Sequence, residues 1–103
     1  MYVIFKQVLD NKVVYSYRNK SGSTNSHIKH IGHGVYINTV HPEILPMHEV
    51  ADGFKTVEDV KTATDYYIQI DRMRGFDSYA ASAQNPGLRH AQHKLSSPAL
   101  VDQ

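Results

Sequence analysis

Cysteine is missing from all 103 residues, and its absence removes disulfides, thiolate zinc sites and cysteine nucleophiles together. The fold must rest on packing. Long apolar runs are missing too: the opening Met-Tyr-Val-Ile-Phe-Lys is too short for a signal-peptide core and far short of the roughly 20 residues a membrane span needs. A cytoplasmic protein with no membrane partner is the expectation. Nor is there a glycine-rich phosphate loop, a Gly-x-Ser-x-Gly nucleophile turn or a His-Glu-x-x-His pair. The chain is therefore expected not to be an enzyme, and no cofactor is expected.

Apolar residues make up 41% of the chain, enough for one modest core, yet the last third is poor in large aliphatic side chains. That shift divides the chain into an α+β domain over residues 1–76 and a loosely structured tail over 77–103. Leu88, Leu95, Leu100 and Val101 are scattered through the tail, too little apolar area to offset chain entropy, so it is expected to be flexible and to order on binding. A helical turn or two is expected around 78–84. A domain this short buries only about 60–65% of its unfolded surface, which leaves room for a partner or for self-association.

Residues 2–9 and 12–18 are rich in Val, Ile, Tyr and Phe and flank Asp10-Asn11, a pair that tolerates the positive φ of a tight turn. This pattern predicts a hairpin in which Val8 faces Val13, Lys6 faces Tyr15 and Ile4 faces Tyr17. The opposite side carries Val3, Phe5, Leu9 and Val14 beside polar residues, so both faces are partly apolar. Either another segment covers the second face or a partner does. Residues 19–26 read as a polar, mobile loop, and 35–40 as a third strand entered from 28–31. Residues 41–53, with Pro42 and Pro46, read as a long connection of the kind that is packed down or functional. Thr56 followed by Glu58 and Asp59 is a helix start, and the spacing of Val57, Val60, Ala63, Tyr67 and Ile70 predicts a helix over 57–74 that stops at Gly75. The expected fold is a small antiparallel sheet of three to four strands packed by one long helix.

Charge is unevenly distributed. Lys6, Lys12, Arg18, Lys20 and Lys29 face only Asp10 in residues 1–42, whereas residues 43–77 hold twice as many carboxylates as cations. Five of the seven histidines lie in or just after the basic part, where mild acid would add charge. His27, His30 and His33, with His41 and His48 downstream, are the residue type that holds zinc, copper or nickel. Their spacing opposes a ready-made site, because alternation on a strand turns His30 away from the other two. His90 and His93 form a weaker pair in the tail. His41 or His48 with Glu43 or Glu49 is the only pairing suggestive of a general base and its orienting carboxylate.

Two binding modes remain. A hairpin carrying Lys6, Lys12 and Arg18 beside Phe5, Tyr15 and Tyr17 joins phosphate attraction to stacking surfaces, which suits nucleic acid. Protein binding accounts for more: surplus sheet surface, a Pro-bounded loop with Leu45 and Met47, and tyrosine and arginine of the kind interfaces favour. The candidate partner-binding residues are Tyr15, Tyr17, Arg18, Lys20, Leu45 and Met47. In architecture the chain resembles small accessory proteins of phages and other mobile elements, including inhibitors of host nucleases and defence complexes. That resemblance implies an inhibitor or regulator of a nucleic-acid-processing complex and transfers no individual residue.

Overall fold

The computed structural model describes residues 1–20, 27–82 and 84–89. Its elements run β1 (Tyr2–Leu9), β2 (Lys12–Asn19), β3 (Ile28–His30), β4 (Val35–Asn38), β5 (Met47–Phe54), α1 (Val57–Met73) and β6 (Asp77–Ala80). The strands form one sheet in the order β3-β4-β5-β1-β2-β6. All neighbours are antiparallel except β2 and β6, which run parallel. The protein is α+β with one helix against a mixed sheet of six strands. The expected three or four strands were too few: β5 takes up the second half of the stretch read as a connection and runs one residue past it, and β6 replaces the helical turn expected after residue 77.

The hairpin has the expected register, with Ile4 opposite Tyr17, Lys6 opposite Tyr15 and Val8 opposite Val13. Asp10 supplies the positive φ of its turn, at 56°. The expectation that β3 leads into β4 also holds. Thr56 caps α1 by accepting from the Asp59 N–H at 3.1 Å, and Gly75 ends it at a φ of 93°, a conformation that glycine adopts without strain.

Alternation in β1 and β2 sends two apolar sets to opposite faces. On the helix side Ile4, Val13 and Tyr15 pack with Val60 and Ile68 of α1, and Tyr2, Val50, Phe54, Ala63 and Tyr67 close around them. Each fully buried aliphatic side chain contributes about 1.5–3 kcal/mol relative to exposure. The helix meets the sheet chiefly through the four-residue series Val60, Thr64 and Ile68, the residues of α1 that are buried.

The far face bears Val3, Phe5, Gln7 and Val14, all buried, and the chain covers it with itself. Gln7 is the clamp. Its Nε2 donates to the carbonyls of Leu45 at 2.8 Å and Leu88 at 3.1 Å, and its Oε1 accepts from the Leu88 N–H at 2.8 Å. The two held segments also join each other through Leu45 N–H to Leu88 O and an antiparallel bridge between Ile44 and Arg89. Tyr36 of β4 packs edge-on against Phe5. Of the residues assigned by composition to the tail, 77–80 complete the sheet and 84–89 help to cover it, while 90–103 lie outside the described residues. Of the loop expected over 19–26, Asn19 instead ends β2, and 21–26 lie outside the described residues.

Candidate functional site

With the far face covered, a concave surface with an apolar lining lies on the helix side, between α1 and the end of β6. This groove is about 480 Å³ in volume. Its floor is apolar, built from Tyr15, Val60 and Ile68, while Tyr17, Ala80 and Ala81 form the sheet-side wall. Lys61 and Asp65, one helical turn apart, stand at the rim.

The sheet edge beside the groove is interrupted. Asp77 N–H donates to Asn11 O, and Ala81 N–H donates to Tyr15 O, so the odd-numbered residues of β2 aim their main-chain groups toward β6. Lys20 N–H donates to Met1 O on the other side, as alternation requires. The pairing with β6 ends at Tyr15 opposite Ala80. Residues 16–19 of β2 therefore extend beyond their neighbour, and among the described residues nothing pairs with the outward N–H and C=O of Tyr17.

Polar groups elsewhere in the core are satisfied. Asp71 Oδ2 accepts from Tyr15 Oη at 2.7 Å and from Ser78 Oγ at 3.1 Å, and Arg72 Nε donates to Ser78 O. Burial, followed by the hydrogen bond to Asp71, pushes the Tyr15 hydroxyl well above the usual tyrosine range. Thr64 is different. It is 9% exposed, lines the groove, and its hydroxyl has no hydrogen-bond partner among the described residues.

The six candidate partner-binding residues do not converge. Tyr17, 43% exposed, stands on the groove wall. Tyr15 lies on the floor, buried, stacked on Tyr67 and committed to Asp71, so it is part of the core more than a free contact. Arg18 pairs with Val3 on the far face. Lys20 sits at the end of the hairpin, 3.1 Å from Asp52. The main chain of Leu45 is bound to Gln7 and Leu88, and Met47 lies beside Tyr36. Val60, Thr64, Ile68, Ala80 and Ala81 went unidentified as site residues. The first three carried a visible helical spacing that reads as core, and the two alanines carry no signal at all.

The histidines are dispersed as well. His30 Nε2 accepts from the Gly34 N–H and its ring rests on Tyr36, while His33 takes a turn conformation at a φ of 55°. Among the described residues no group of three or more His, Asp or Glu is placed to hold a metal ion. His41 Nδ1 lies 3.3 Å from Glu43 Oε2, which also accepts from Arg89 at 2.7 Å. His48 is paired with Lys6 and Glu49 with Phe5, on opposite sides of the sheet. Among the described residues no helix is long and apolar enough to cross a membrane. No family model matches this sequence, and no curated protein or solved structure matches it.

Proposed function

We propose that this chain is a non-catalytic protein-interaction module and that its partner docks in the groove between α1 and the β2/β6 edge. The observation that supports this reading is the coincidence of an apolar groove with an interrupted strand edge. Apolar lining rewards burial of a partner side chain, and open main-chain groups reward a partner that brings its own. Surplus sheet surface, the reason the sequence offers for docking, plays no part, because the far face is already covered.

Nucleic acid is the weaker reading. Lys12 is paired with Asp77 and Lys20 with Asp52, and the Tyr15 ring is buried, so the hairpin offers few free cations beside stacking rings. A photoreactive residue at the rim position Lys61, compared with one at Lys12 in β2, tests the docking site in cells that make the protein. A discrete protein adduct from position 61 and none from position 12 is expected. Equal labelling from both positions, or labelling of nucleic acid alone, contradicts the assignment.

A further inference from the structure

We infer that the chain carries a second docking surface, on the flank of α1 opposite the groove, and that it receives an amphipathic helix of a protein partner. The apolar side of that helix lies over β4 and β3, and its carboxylates meet Lys6, Lys29 and His48. The surface neither includes the groove nor depends on it.

The floor follows from the register. Lys6 pairs with His48 and His48 with Val35, Ile37 pairs with Lys29, and Ile31 donates its N–H to Val35 O. Residues directly opposite each other share a face, and Lys6 is also opposite Tyr15, which packs under α1. All six residues of this set therefore lie on the helix side of the sheet. Val35 and Ile37 are half-buried there, and Ile31 is 54% exposed.

The wall is α1. Lys61 and Asp65 stand over the groove and Arg72 donates to Ser78 O of β6, so the helix turns that flank to β6 and the other toward β4. On the second flank Tyr66, Ile70 and Met73 follow the i, i+4, i+7 spacing of one stripe, with Tyr66 66% and Met73 85% exposed. Uncovered apolar surface thus lies over the outer strands, beyond the reach of the segments that close the far face.

Width and charge define the occupant. At about 4.8 Å between strands, β5, β4 and β3 make a shelf roughly 10 Å deep beside α1, the width of one more helix. A sheet buries such a face beneath helices. Lys6, Lys29 and His48 have no ion pair or hydrogen bond among the described residues, unlike Lys12 and Lys20. Glu49 and Asp52 of β5 sit opposite Phe5 and Val3 on the far face, so no carboxylate of these strands answers the three. A second copy would set the same cations against themselves, and a flat bilayer would be held off the recessed floor by α1. The chain's own last residues, with His90, His93 and Lys94 against Asp102, have the wrong sign. A helix with an apolar stripe edged by aspartate or glutamate matches floor and charge together.

Peptides enriched on the full chain from a random displayed library, then synthesised, supply probes for both surfaces, because Ala81→Arg blocks the groove and leaves the shelf intact. Expected is a class indifferent to Ala81→Arg, with apolar residues at helical spacing beside carboxylates. Ile31→Glu and Met73→Glu, at exposed positions where the native amide spectrum should persist, should each weaken this class about tenfold or more by setting an unpaired charge in the contact. Lys6→Gln and Lys29→Gln should each weaken it about two- to fivefold, the worth of one exposed pair, and high salt should erase that loss. A proline at the centre of the peptide should abolish binding. Peptides that respond to Ile31→Glu but tolerate the proline, or that are indifferent to both lysine changes, overturn the acidic helix as occupant. Self-association of the full chain that Ile31→Glu breaks would place a second copy there instead and overturn it as well. If no enriched peptide responds to Ile31→Glu or Met73→Glu, the surface itself is overturned, whereas the groove is judged separately, by peptides that Ala81→Arg excludes.

Discussion

Replacing Gln7 with leucine keeps its bulk and removes the three hydrogen bonds that hold Leu45 and Leu88 to the sheet. A buried group left without a partner costs about 1–3 kcal/mol, so Gln7→Leu should lower the unfolding free energy measured in urea by that order and speed exchange of the Leu88 amide. Unchanged protection at Leu88 would show that the segment is held by other means. Gly87 belongs to the same arrangement: a Cβ there would lie 2.6 Å from Gln7 Oε1, closer than the fixed amide tolerates. Tyr15 acts on the helix side. Its raised pKa means that the folded state keeps a proton which the unfolded state releases above about 10. The stabilisation is complete below that pH and is lost progressively as the pH climbs beyond it. Tyr15→Phe should therefore destabilise at neutral pH, where it removes the bond to Asp71, and should show a shallower alkaline decline in urea titrations. Parallel declines would contradict the assignment.

Among the elements, α1 was the most legible, because a capping threonine, acidic first-turn residues and a three-to-four spacing are all local signals. Thr56→Ala should cost about 0.5–2 kcal/mol by chemical denaturation while leaving peptide binding at the groove unchanged; a loss of binding would mean that the helix start shapes the site. The hairpin was equally legible, down to its register. Two strands were not. In β5 the pleat is broken by register shifts against β1 beside Tyr2 and Ile4, so His48, Glu49, Asp52 and Gly53 show no alternation to read. β6 is short, and what fixes it lies elsewhere in the chain: Asn11 and Tyr15 carbonyls, Arg72 and Asp71. Nothing within its own four residues announces a strand. The groove depends on where β6 stops, and for the same reason it could not be read from sequence.

At the scale of the molecule, the excess of apolar sheet read from the hairpin is present, and the chain resolves it internally. Residues 84–89 and the segment around Leu45 act as a third layer, clamped by one glutamine. The contrast between a basic first part and an acidic second part is partly offset in space, since Lys12 meets Asp77 and Lys20 meets Asp52. These exposed pairs contribute little to stability and reduce the field available for steering a partner. On the proposed reading, docking in the groove therefore rests on shape and on the open main-chain groups of Tyr17 at the end of β6. Hydrogen exchange at the Tyr17 amide measures this most directly. It should be fast in the free protein while Val13 and Tyr15 are protected, and it should become slow when a groove-binding peptide is bound. A Tyr17 amide that is protected without peptide, or that exchanges equally fast at saturation, would contradict the open edge on which the account stands.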